Sequence, residues 1–275
     1  MTHNELILRL DQIGVENPSE EAFLILNHLF GTTKAQILLD REKSYSSEKI
    51  EPILEQRQKK TPLQYIFGKW YFMDLELFVS PDCLIPRPDT EILVYEALRL
   101  LKGGGCVADL CTGSGCIGLS ILSARPDIEK MVLADISSGA LAIATKNARE
   151  HSLDSRCEIV QIDITQEMPS GYFDMIVSNP PYIPSADVLT LSNEVKKEPT
   201  LALDGGADGL DIIRALLALA PNALNENGYL LIEFGFDQAE SICQIMDALV
   251  ADKVYRSYKI LKDYGANDRV LVCQK

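Results

Sequence analysis

The spacing of apolar positions changes character along this 275-residue chain. Near the start it is helical: Leu6, Leu10 and Ile13 fall on one face, and Gly14 follows as a stop. Asn17 offers a cap, Pro18 suits the first helical position, and Glu20 supplies the return half of a capping box ahead of AFLILNHLFG, which ends at Gly31. Thr33 with Gln36 repeats that box, and a further helix is predicted from Ser47 to about Lys60, stopped by Thr61-Pro62. Residues 1–64 therefore read as a small helical bundle, either a stabilising appendage or a grip for a partner.

Over residues 65–85 the pattern turns to aromatics and alternation, and YIFGKWYFMDLELFVSPDCLIPR predicts a β-hairpin linker around Gly68 and Met73-Asp74. From residue 105 strands and helices alternate, with strands at CVADL, MVLADI, CEIVQID, FDMIVSN, GYLLIEF, VYRSYKILKD and DRVLVCQK. Such alternation builds a doubly wound parallel sheet. Only YGAN separates the last two strands, too short for a crossover, so they are expected as an antiparallel edge hairpin. Residues 86–275 are thus predicted to form one α/β domain around a seven-stranded mixed sheet.

Composition narrows the class. Apolar residues make up 47% and charged residues 24%, ordinary values for a globular chain. The first residues lack the basic and apolar regions of a signal peptide, and no apolar run approaches the length of a membrane span, so a cytoplasmic protein is expected. Net charge is −14, of which residues 1–80 carry −3 and the remainder −11. That acidity argues against direct nucleic-acid binding. Cys106, Cys111 and Cys116 recur every five residues, but with no His nearby they read as small reduced thiols, and no metal site is expected.

Candidate chemistry begins at ADLCTGSGCIG, where Gly113, Gly115 and Gly118 form G-x-G-x-x-G after a strand. Glycines let backbone approach a ligand closely. A dinucleotide is the first thought, yet an ionised Asp109 just before the loop would repel a pyrophosphate and suit a ligand carrying an ammonium and a sulfonium, such as S-adenosylmethionine (SAM). Asp135 is placed for ribose hydroxyls under either reading. Asp163 is placed for an adenine amine with Ile164 as an apolar wall, or else caps a turn. Asp109, Asp135, Asp163 and Asn179 all fall at strand ends, on the one rim where open α/β sheets bind ligands.

Asn179 opens the corner NPPY, whose two prolines cannot continue a sheet. A planar, poorly nucleophilic nitrogen fits there: the Asn179 oxygen and the Pro180 carbonyl each accept one N–H, and Tyr182 stacks on the flat group. No base is needed before methyl transfer, and catalysis by Asn179, Pro180 and Tyr182 would be positioning. The competing reading is a tight turn.

Seven blocks in one order, TPLQYIFG, LIPRPDTEILV, DLCTGSGCIGLS, SNPPYI, EPTLALDGGADGL, IEFGFDQ and DYGANDRVLV, resemble the HemK/PrmC protein-(glutamine-N5) methyltransferases. The resemblance spans most of the chain. It implies a Rossmann-like SAM-dependent methyltransferase acting, as a monomer, on the glutamine of the Gly-Gly-Gln loop of peptide chain release factors. It also implies that Cys111, Thr112, Gly113, Ser114, Gly115, Asp135, Ile164 and Asn179 line the SAM site, and that Asn179, Pro180, Pro181 and Tyr182 hold the glutamine. Cys111 stands where the family commonly has Gly, and Ile164 where some members have an aromatic. Arg87, Thr90 and Glu91 are read first as structural support, and Glu198 and Pro199 as part of a lid whose two lysines meet the partner. The alternatives are an adenine-N6 nucleic-acid methyltransferase, disfavoured by the charge, and a non-catalytic SAM-binding scaffold, disfavoured by the intact Asn179 and Tyr182.

Overall fold

The computed structural model describes all 275 residues and divides into two compact units. The first comprises Met1–Gly68 together with Ser192–Lys197. It holds five helices, α1 (His3–Gln12), α2 (Pro18–Phe30), α3 (Lys34–Leu39), α4 (Ser47–Gln58) and α5 (Leu63–Phe67). Leu6 and Leu10, on the face that helical spacing marked, join Ile25, Leu26, Ile50 and Leu54 in its core, with Ile13 packed against it. Thr33 and Gln36 form the reciprocal capping box, and so do Thr2 and Glu5. The box expected at Asn17 does not form: the Asn17 side chain makes no cap bond, and Glu20 instead pairs with Lys34 at 3.0 Å.

Arg57, on α4, is 1% exposed, and burying a guanidinium requires partners. Glu21 meets it in a fork at 2.7 and 2.8 Å, Glu194 adds a third bond at 2.8 Å, and the Thr61 carbonyl a fourth at 2.7 Å. Segment 192–197 is held in the first unit by this cluster.

The second unit contains the remaining elements: the hairpin β1 (Lys69–Phe72) and β2 (Leu75–Phe78), α6 (Glu91–Leu100), β3 (Gly105–Leu110), α7 (Cys116–Ala124), β4 (Ile128–Asp135), α8 (Ser138–Glu150), β5 (Cys157–Gln161), β6 (Phe173–Ser178), α9 (Ser185–Val188), α10 (Asp211–Ala223), β7 (Leu224–Glu233), α11 (Ala239–Ala251), β8 (Ser257–Lys262) and β9 (Asp268–Gln274). Seven strands form one sheet in the order β5-β4-β3-β6-β7-β9-β8. The first five are parallel, and β9 runs antiparallel between β7 and β8. Successive residues face opposite sides. Val107, Met131, Met175 and Val177 pack with α6, α7 and α8, while Ala108, Val132, Ile176 and Leu230 pack with α10 and α11.

The hairpin starts later than its sequence block, because residues 63–67 turn helical and Gly68, at φ 70°, ends that turn before β1. Phe72, Leu75 and Leu77 are buried in the same core as α6 and α7.

Candidate functional site

The parallel strands place their carboxyl ends side by side: Leu110 is level with Ala134 and Ser178, and Ser178 with Ile232. A cleft of about 1030 Å³, its open mouth included, lies at this rim. Cys111, Thr112, Gly113, Ser114, Asp135, Asp163, Ile164, Asn179 and Pro181 line it.

The glycine loop leads from β3 into α7. Gly113, at φ 56°, is bordered by open space where a Cβ would sit. Gly115, at φ 82°, begins α7, and a Cβ on Gly118 would lie 2.5 Å from Leu133 and 3.0 Å from Asp109. These contacts explain the first and last glycines of the motif: one leaves room for a ligand, the other lets helix and sheet touch. Cys111 also adopts the left-handed region, at φ 56°, where glycine is favoured.

Asp109 does not face the cleft, which revises the expectation that it meets a cationic ligand there. It points to the α7 side and is fully buried, with Oδ2 accepting from Thr112 Oγ1 at 2.6 Å and from Gly118 N at 2.9 Å. Burial pushes its carboxyl up to about 7, and Oδ1 has no partner. Its first effect is to brace the loop. Gly115, Pro180 and Tyr182 are not among the residues that line the cleft, although Pro180 and Tyr182 flank Pro181, which is.

Asp135 faces the cleft at the end of β4. Its Oδ2 accepts from Gly113 N and its Oδ1 from Ser137 N, both at 2.9 Å, so each oxygen retains a lone pair for a further donor. Burial raises its carboxyl above the usual range. Asp163 does cap a turn: Oδ1 accepts from the Thr165 hydroxyl at 2.6 Å and the Thr165 amide at 3.0 Å, which lowers its pKa. Oδ2 stays open beside buried Ile164. A loop open at Gly113, a carboxylate with two available lone pairs and an acceptor beside an apolar wall fit a nucleoside carrying a flexible cationic tail. No group of three or more His, Cys, Asp or Glu side chains is placed to hold a metal.

The NPPY corner reaches the cleft at the end of β6 through Asn179 and Pro181. Asn179 Nδ2 donates to Thr90 Oγ1 at 3.2 Å, leaving Oδ1 unpaired. Tyr182 Oη donates to Glu233 Oε1 at 3.3 Å, and burial raises the phenol pKa. The backbone is fixed from outside: Gln238 Nε2 donates to Tyr182 O at 2.8 Å, Ile183 N to Leu203 O at 3.0 Å, and Gly205 N to Ile183 O at 2.9 Å. A Cβ on Gly209 would stand 2.2 Å from Tyr182 O, so DGGADGL is glycine-rich because it wraps this corner.

Two further positioning residues, Asn147 and Ser178, are not marked by the sequence, while Glu198, expected in a lid, is found bracing a strap. Asn147, fully buried on α8, accepts from Phe78 N at 2.7 Å and donates to Phe78 O at 3.0 Å and Ser114 O at 2.8 Å, tying hairpin to glycine loop. Ser178 Oγ donates to Leu110 O at 2.7 Å. Glu198 pairs with Arg87 and accepts from Ile85 N at 3.0 Å, fixing the strap that carries Arg87 and Thr90 past the cleft. Asn147 and Ser178 have no spacing signal, since each is a lone polar residue in an apolar setting.

An open sheet ending in an antiparallel pair, with a glycine loop, a strand-end carboxylate and an Asn-Pro-Pro-Tyr corner on one rim, defines a Rossmann-like methyltransferase. The fold agrees with a methyltransferase from Pyrococcus furiosus, at TM-score 0.54 and 18% identity over 84% of this chain and 99% of that one. The hMettl16 catalytic domain gives TM-score 0.55 at 11% identity over 72% and 74%. Residues 89–198 match the methyltransferase small domain and residues 3–68 the PrmC N-terminal domain. The chain is 39% identical to the release factor glutamine methyltransferase of Rhodospirillum rubrum, covering 97% of this chain and 82% of that protein. It is 36% identical to that of Escherichia coli, covering 93% and 91%. The chain belongs to the release factor glutamine methyltransferase family.

Proposed function

We propose that this enzyme transfers a methyl group from SAM to the side-chain amide N5 of the glutamine in the Gly-Gly-Gln loop of peptide chain release factors. One observation carries the acceptor assignment: Asn179 turns its NH2 to Thr90 and leaves Oδ1 unpaired at the cleft, a ready acceptor for an amide N–H. The Pro180 carbonyl takes the second N–H, and the Tyr182 ring packs against the amide plane. The lone pair of nitrogen is then directed out of that plane, toward the cofactor side.

SAM supplies, when bound, an electrophilic methyl on a sulfonium. Asp135 would hold its ribose hydroxyls, Asp163 and Ile164 its adenine, and the backbone of Cys111 to Gly115 its amino-acid end. The corner orients the amide, and the strap and the glycine-rich wrap keep Asn179 and Tyr182 from turning away. After transfer the nitrogen carries a proton too many and is strongly acidic, so water at the open mouth suffices to take it. No metal is used in this account. The first unit, with Lys196 and Lys197, would grip a part of the release factor away from the loop, and a translation factor as substrate places the reaction in the cytoplasm.

Incubating an intact release factor with enzyme and SAM should add the mass of one methyl to the factor, while the isolated loop peptide is modified more slowly. Methylation of adenine in DNA, with the release factor unchanged, would contradict the assignment.

A further inference from the structure

Behind the acceptor corner lies a carboxyl that the chemistry above does not use. Glu233 ends β7, next to β6, and is 1% exposed. Oε1 accepts from Tyr182 Oη, and Oε2 is buried with no hydrogen-bond partner. The Thr90 hydroxyl lies beside this carboxyl, close enough to lower its pKa, and Thr90 Oγ1 also accepts from Asn179 Nδ2. Tyr182 is therefore bonded to this buried acid, and Asn179 to the threonine beside it. Arg269, the cation whose charge reaches it, is already committed: Nε and Nη2 donate to Asp263 Oδ2 and Nη1 to Phe234 O, each at 3.1 Å. A buried carboxyl without its own cation is costly to keep.

A carboxylate only accepts hydrogen bonds. With the Thr90 hydroxyl beside it, such a carboxylate would draw the Thr90 proton and leave Thr90 Oγ1 with lone pairs alone for Asn179. An amide facing such an oxygen must turn NH2 toward it and carbonyl away. We propose that Glu233, as its carboxylate, is a positioning residue that sets this direction of hydrogen bonding, so that Asn179 presents Oδ1 to the substrate amide and Tyr182 is held in its plane. The inference rests on the reading of Asn179 as the residue that binds the acceptor.

Protonation would undo the arrangement, because a carboxylic acid donates to Thr90 or Tyr182 instead of accepting from both. The groups facing Glu233 are Tyr182 on the corner, Arg269 on β9, and Asp89 and Thr90 before α6. Burial outweighs them and pushes the carboxyl up to about 7. Turnover at saturating SAM then rises with pH through neutrality.

Initial rates of the full-length enzyme on an intact release factor, measured across neutral pH, test this. Glu233→Gln, nearly isosteric but able to donate, should lose kcat on the order of 10- to 100-fold, as outer-shell partners of ligating side chains do. SAM affinity by calorimetry should stay near wild type, and the neutral-pH limb should vanish. Thr90→Val should fall likewise, and Thr90→Ser should restore turnover. If Glu233→Gln keeps wild-type kcat and pH profile while Asn179→Ala is inactive, the inference is overturned and the site reading stands. Wild-type turnover by Asn179→Ala would remove both. Should Glu233→Gln not fold, equal kcat for Thr90→Val and Thr90→Ser overturns the inference on its own.

Discussion

Asn179 carries the chemistry through orientation. Its Oδ1 is one of two acceptors that hold the substrate nitrogen, and removing one preorganised partner typically costs on the order of 10²-fold in kcat. Asn179→Ala should show that loss in single-turnover methylation while calorimetric SAM affinity changes little. The buried acids Asp109 and Glu233 make a separate prediction about stability. Each has its carboxyl pushed up to about 7 by burial, whereas the unfolded chain ionises near the ordinary carboxyl value of about 4. Between those values the folded state holds protons that the unfolded state has released, so this part of the stability is present at low pH and is lost as pH rises toward 7. In urea unfolding, Asp109→Asn and Glu233→Gln should gain on the wild type as pH rises through that window. A difference that stays flat or shrinks would contradict the burial argument.

Among the elements, the corner depends on its wrap. Gly209, at φ 76° with Tyr182 O where a Cβ would go, has no room for a side chain. Gly209→Ala should cost about 1–3 kcal/mol in urea unfolding, and it should lower kcat more than SAM affinity because the displaced group is Tyr182. The elements themselves were largely legible: periods of helix and strand placed the bundle, the hairpin and the alternating sheet, and the short YGAN link revealed the antiparallel edge. Strand order was not, since the insertion of β9 between β7 and β8 is a property of packing and leaves no mark on spacing. The corner and the glycine loop were readable because proline and glycine have local consequences. Asn147 and Glu233 were not, because a single buried polar residue is defined by what surrounds it, and Thr90 was legible only as structural support. Asp109 was misplaced for a related reason: alternation along β3 turns it with Val107 toward α7, while its nearness to the loop in sequence suggested the cleft.

At the scale of the whole molecule, the connection after the corner is shared between units. Residues 192–197 belong to the first unit, whereas Pro199, Leu201 and Ala202 line the cleft of the second. Arg57 secures the former through Glu21 and Glu194. Breaking a buried ion pair from one side costs about 3–5 kcal/mol. Arg57→Met should therefore raise hydrogen exchange across residues 1–68 and in 192–197 together, and protection retained in 192–197 would show that the cluster does not hold this segment. The central claim is that a strand-end corner directs one methyl onto one amide nitrogen. Methyl-labelled SAM, an intact release factor and fragmentation mass spectrometry test it most directly: the label should sit on the side-chain nitrogen of the Gly-Gly-Gln glutamine with wild-type enzyme and be nearly absent with Asn179→Ala, whereas label on another residue, or equal label from both enzymes, would contradict it.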